Sequence, residues 1–189
     1  MDQYFSGQRY EAISVGETGF VQAEYEDCQF QDCQLGRAVL SGSSFANCHF
    51  TDCDLSMAIL EKTRLQKVSF KGCRLMGVDL SQCDTFLLEL SFEDCDLQLV
   101  NFAQMKMQGM VFKSCRLTDA DFTDADASAI SFSGCDCSRA LFVRTDLRGA
   151  DFSTANNYSI DPRNNRMKGA RFSWPDAAGL LHPFGIEVE

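Results

Sequence analysis

Ala23-Glu24-Tyr25-Glu26-Asp27-Cys28-Gln29-Phe30-Gln31-Asp32-Cys33-Gln34-Leu35-Gly36-Arg37 decides how this chain folds. A large apolar residue stands at Tyr25, Phe30 and Leu35, and a small residue stands two places before each. Five places before Tyr25 stands Phe20. In the other direction the same step reaches Leu40, Phe45, Phe50, Leu55, Leu60, Leu65, Phe70, Leu75 and Leu80 without a break. Neither the period of a helix nor the alternation of a half-buried strand generates that series. The small series reads Ala23, Cys28, Cys33, Ala38, Ser43, Cys48, Cys53, Ala58, Thr63, Val68, Cys73 and Val78, and the places between are mostly polar or glycine.

A second register begins at Phe92 and runs through Leu97, Phe102, Met107, Phe112, Leu117, Phe122, Ala127, Phe132, Cys137, Phe142 and Leu147 to Phe152. Twelve positions separate Leu80 from Phe92, so two residues are extra within 81–91. Either the coil tolerates the insertion, or Phe86 and Leu88 bulge outward or rotate the later part of the stack.

Units such as Cys53-Asp54-Leu55-Ser56-Met57, Ala120-Asp121-Phe122-Thr123-Asp124, Thr145-Asp146-Leu147-Arg148-Gly149 and Ala150-Asp151-Phe152-Ser153-Thr154 resemble the pentapeptide-repeat family. The resemblance covers about residues 18–157. It implies an all-β solenoid, a right-handed quadrilateral β-helix with one repeat per side, carrying a short C-terminal helical dimerisation and capping segment. Both the large centre and the small residue before it then point inward, and successive turns stack ~4.8 Å apart. The expected division is an N-terminal cap over 1–19, the coil over 20–157 with its register shift near 81–91, and a C-terminal segment over 158–189. The coil would make about seven turns, roughly 33 Å long.

The chain has 189 residues, a formal charge of −10 and a pI near 4.6. A duplex-DNA binder needs a basic stripe, so direct nucleic-acid binding is disfavoured, and acidity suits a basic protein partner or plain solubility. No apolar run is long enough to span a membrane. Met1-Asp2-Gln3-Tyr4-Phe5 lacks the basic and apolar regions of a signal peptide, so a cytoplasmic location is expected. The ten cysteines are spaced against the period rather than as zinc knuckles. Cys33, Cys53 and Cys73 should form one vertical stack and Cys95, Cys115 and Cys135 another, with Cys28, Cys48 and Cys83 also at the small inward position and Cys137 at a centre. They read as small core hydrophobes. His49 and His182 are far apart and there is no glycine-rich phosphate loop, so neither an enzyme nor a cofactor or metal site is expected.

The tail breaks the period. Ser173-Trp174-Pro175-Asp176 reads as a helix start with Ser173 as N-cap, the helix running through Ala177-Ala178-Gly179-Leu180-Leu181 and stopping before Pro183. Its apolar residues either fold onto the last coil or form a two-fold contact. From Ser159-Ile160-Asp161-Pro162 to Phe184-Gly185-Ile186 the tail is similar to that of Qnr-type quinolone-resistance and microcin-immunity members of the family. That resemblance implies a homodimer through Phe172, Trp174, Leu180, Leu181, Phe184 and Ile186. It also implies a non-enzymatic rod that mimics DNA and binds DNA gyrase or topoisomerase IV. The partner-binding acidic surface would be Asp96, Asp119, Asp121, Asp124, Asp126, Asp136, Asp146 and Asp151. Aspartate is also favoured at these places for local backbone hydrogen bonds. The chain departs from many Qnr-type proteins in lacking long loops, and Lys62, Arg64, Lys67, Lys71 and Arg74 give its middle a positive patch. The alternative is a scaffold or regulator with a different protein partner.

Overall fold

The computed structural model describes residues 3–15 and 22–187. It is a right-handed, four-sided parallel β-helix. The first face carries strands Gln3–Ser6, Ala23–Glu26, Ser44–Ala46 and Arg64–Gln66. The second carries Arg9–Glu11, Gln29–Gln31, His49–Thr51, Val68–Lys71, Leu90–Glu93, Val111–Lys113 and Phe132–Ser133. Asp151–Phe152 and Arg171–Phe172 pair beyond them. The third and fourth faces are held by isolated parallel bridges, such as Gln34 with Asp54 and Val39 with Ile59. Partners are twenty residues apart, as in Glu24 with Ser44 and Gln29 with His49.

Each side is one repeat because the corner demands it. The second residue after most centres adopts positive φ: Asp32 at 55°, Asn47 at 52°, Gly42 at 70°, Asp119 at 57°. Glycine, asparagine and aspartate enter that region at least cost, which accounts for their frequency at the end of the repeat. Where a small residue comes next, its N–H closes the turn onto the centre carbonyl, as Ser43 N does to Leu40 O at 3.0 Å. On the second face the centres stack as an aromatic ladder: Tyr10, Phe30, Phe50, Phe70, Phe92, Phe112, Phe132, Phe152 and Phe172, with ring centroids 4.4 to 5.6 Å apart.

All ten cysteines are buried and free. The two expected thiol stacks are one column, because Cys95 succeeds Cys73 across the insertion: Cys73 donates to Phe50 O and Cys95 to Phe70 O, each one turn back and both at 3.4 Å. The hydroxyls of Thr63 and Thr145 make the same bond at 2.9 Å.

Four expectations need correction. Residues 3–15 do not cap the coil; they are already its first turn, Gln3 pairing with Ala23 and Arg9 with Gln29. Phe20, the first expected centre, lies outside the described residues. The coil also does not end at 157, since Asp146 bridges Arg166 and Phe152 pairs with Phe172. At the insertion Arg64 still pairs with Asp84, but Val68 pairs with Leu90, so the extra residues are absorbed between them. Phe86 and Leu87 project into solvent at 66% and 64% exposure, while Leu88 turns back and packs on the core. The tail's helical segments are short 3-10 turns, Asp176–Leu180 and His182–Phe184, and Ser173 does not cap them: the residue at the N-cap is Pro175, with no side-chain bond. Gly179 sits so close to the coil that a Cβ there would lie 2.0 Å from Tyr158 O, and its own carbonyl accepts from Ile160 N. Close contact between the two backbones holds the tail on the last turn.

Candidate protein-interaction surface

Because the centre and small positions face inward, only the residues beside each centre and at the corners meet other molecules. The eight carboxylates expected to form one acidic surface do not share a face. Asp126 and Asp146 stack on the first face and Asp151 stands on the second. Asp96 and Asp136 stand on the third with Arg116 between them, and Asp121 is on the fourth with Asp119 and Asp124 at its two corners. The reason is geometric: a repeat of five around four sides sends consecutive repeats to consecutive faces.

Most of these carboxylates are already engaged. Arg139 grips Asp119 with two bonds, 2.7 and 2.6 Å, and Arg144 grips Asp124 with two at 2.7 Å. These guanidinium bonds hold both carboxyls below their usual range. Asp146 accepts from Arg148 and also meets Arg166 at 3.2 Å. Bonds from Ser153, with Arg171 beside it, bring Asp151 down to about 2. Asp121, Asp126 and Asp136 have no ion-pair partner within 4.0 Å among the described residues, and each accepts the N–H two residues on. The same short turn recurs at Asp54, Asp79 and Asp84. Local backbone satisfaction therefore explains aspartate beside the centres without any partner.

The positive patch is also redistributed. Lys62, Arg64, Lys67, Lys71 and Arg74 lie on one turn and spread over the first three faces and their corners. Lys62 pairs with Glu61 at 3.5 Å, Lys71 with Glu93 at 3.8 Å and Arg74 with Asp54 at 3.3 Å. At the C-terminal end the expected contact residues divide. Phe172 stacks on Phe152 at 5.4 Å and, with Leu180, packs on the core. Leu181 is half-buried. Trp174, Phe184 and Ile186 are exposed at 71%, 45% and 47%, with Arg163 lying 4.4 Å over the Phe184 ring. His49 is an exposed second-face residue bonded to Ser69, and His182 is exposed in the tail. No three His, Cys, Asp or Glu side chains converge as a metal site would require, and no helix is long and apolar enough to cross a membrane, among the described residues.

Residues 83–152 match the family described as a pentapeptide repeat region, and residues 28–66 and 45–82 match pentapeptide repeats of eight copies. The chain belongs to the pentapeptide-repeat family. No curated protein sequence matches it. Among solved structures, a trypsin-treated variant of QnrB1, a plasmid-mediated fluoroquinolone resistance protein, shares the fold with a TM-score of 0.71 at 19% identity, over 100% of both chains. A second trypsin-treated variant gives 0.60 at 20% identity, over 100% of this chain and 99% of that one. As a pentapeptide-repeat protein of Qnr-like fold, this chain offers a partner a rod whose outward positions are mainly polar and on which Asp54, Asp96, Asp119, Asp124, Asp146 and Asp151 pair with arginines from neighbouring turns.

Proposed function

We propose that this pentapeptide-repeat protein is a non-enzymatic, cytoplasmic homodimer that binds a type II topoisomerase, DNA gyrase or topoisomerase IV. It would dock in the enzyme's DNA-binding groove in place of duplex DNA, and so modulate the enzyme or protect it from poisons such as fluoroquinolones. The observation that carries this reading is the likeness to the QnrB1 fold over the full length of both chains, tail included. The net charge of −10 supports it, because a basic groove attracts an acidic rod over long range. The exposed Asp–Arg pairs do not stand in the way. Exposed pairs of this kind add little to stability, and a basic groove can take over the carboxylates as it closes.

The test is a gyrase supercoiling assay, with and without ciprofloxacin, alongside a direct binding measurement. Inhibition of supercoiling, or rescue from the drug, is expected. A chain that neither binds, inhibits nor protects would remove the reading. The arginine pairing favours one alternative, a scaffold or regulator for a different protein partner, since a DNA mimic works best with unpaired rows of carboxylates. Capture of another protein together with a silent gyrase assay would select it.

A further inference from the structure

The coil does not need its insertion. Without Thr85 and Phe86 the sequence would read Cys83-Asp84-Leu87-Leu88-Glu89, a complete unit with Leu87 at its centre and Leu90 opening the next. Keeping the two residues has a cost. Phe86 and Leu87 are exposed, and Leu87 has a φ of 56°, in the left-handed region where glycine, asparagine or aspartate costs less. What the insertion builds is a hollow. Leu87, Leu88 and Glu89 wall a space of about 600 Å³ at the corner between the first and second faces.

The hollow is long and its lining suits a peptide. It begins at Glu26, runs past Ala46 and Gln66 on the next two turns, and continues beyond the insertion to Gln108 and Gly109. Four steps of ~4.8 Å make it about 19 Å long, the reach of about six residues of extended chain. The side-chain amides of Asn47, Gln66 and Gln108 line it, and none of the three is hydrogen-bonded among the described residues. Each offers a donor and an acceptor, which is what a peptide unit pairs with. Ala46, Leu87 and Leu88 supply an apolar stretch in its middle.

Charge orients the occupant. At the N-terminal end of the hollow the turn carries Glu24, Glu26 and Asp27 and no cation. Arg9, one turn below on the second face, is turned to Glu11 and Gln31. Tyr4 donates its hydroxyl to Glu26, which leaves the carboxylate charged. Farther along, Arg64, Lys67 and Lys106 alternate with Asp84 and Glu89, and none of these five has an ion-pair partner within 4.0 Å among the described residues. Carboxylates thus outnumber cations around the hollow, which disfavours a nucleic-acid strand or an anionic lipid. We infer that the hollow binds an extended peptide segment of another protein, with a lysine or arginine over Glu26 and Asp27 and an aliphatic or aromatic side chain between Ala46 and Leu87. This goes beyond the topoisomerase reading and does not depend on it.

The probe is a hexapeptide library displayed on phage and selected on the native chain, the enriched sequence then being made as a fluorescein-labelled peptide for fluorescence polarisation. Selection should enrich a lysine or arginine with an aliphatic or aromatic residue about two to four places away. Deletion of Thr85 and Phe86, with circular dichroism and guanidinium denaturation checking the coil, should weaken the peptide at least about tenfold. Ala46→Trp fills the hollow without altering the insertion and should do the same, since the apolar anchor loses its seat. Glu26→Gln should weaken the peptide about threefold, and Asp119→Asn, at the opposite corner of the rod, should change it by less than about twofold. No enriched sequence, an enriched sequence without a basic residue, or a peptide that binds the native chain and Ala46→Trp alike would overturn the inference. The gyrase supercoiling assay decides the topoisomerase reading independently of these results.

Discussion

A cysteine at the small inward position does two jobs that alanine and threonine do separately. It fills the corner as a hydrophobe, and its thiol donates to a carbonyl one turn back, as Cys53 does to Phe30 O at 3.4 Å. Burial pushes the Cys48 and Cys83 thiols up to about 12. Both are raised above the unfolded value of about 8.5, so their contribution to stability is intact below that pH and is lost as pH rises through about 12. Because all ten are buried, the thiols should stay silent to a thiol-specific reagent such as DTNB at neutral pH in the native protein, and all ten should react in guanidinium. In an alkaline titration they should appear together with unfolding, monitored by circular dichroism. Stepwise reaction of single thiols in the folded protein would contradict a closed core. The inward placing of nine of these cysteines was legible in the period; the joining of two stacks into one column was not, because it depends on how the insertion is absorbed.

On the scale of one face, the aromatic ladder ties each turn to the next. Phe50 stacks on Phe30 at 4.4 Å and on Phe70 at 5.1 Å, and meets Phe45 edge-on at 5.7 Å. Truncation of Phe50 to alanine leaves a cavity between three turns with little freedom to collapse. We expect Phe50→Ala to lower unfolding stability by about 3–5 kcal/mol, and Phe50→Leu by less, because leucine already fills the equivalent layers of the third face. Guanidinium denaturation measures both, and equal midpoints for Phe50→Ala and the native protein would mean the ladder does not bind the turns together. The insertion shows the limit of reading elements from sequence. Its position was visible from the broken count, but Thr85, Phe86, Leu87 and Leu88 offer several ways to absorb two residues. Leu88 turns inward because the layer above Leu65 otherwise lacks a large side chain, and only the neighbouring turns reveal that gap.

For the whole molecule, the exposed Trp174, Phe184 and Ile186 at the C-terminal end are an apolar set that the coil leaves uncovered. Sedimentation velocity of the native chain should report a dimer, and Trp174→Ala with Phe184→Arg should shift it to a monomer of unchanged circular dichroism. A native monomer at micromolar concentration would leave the tail as a cap only. The sequence by itself showed that one large side chain in every five is buried, a constraint that is local and repeated, and its resemblance to the pentapeptide-repeat family implied the four-sided coil that buries them. Tertiary structure alone decided what the outside is. Residues twenty apart in the chain become neighbours, so Arg139 meets Asp119, Arg144 meets Asp124, and an apparently acidic row is dispersed around four faces and in part paired. Surface charge and surface greasiness depend on which turns lie side by side, a property of the stacked coil and not of any one repeat.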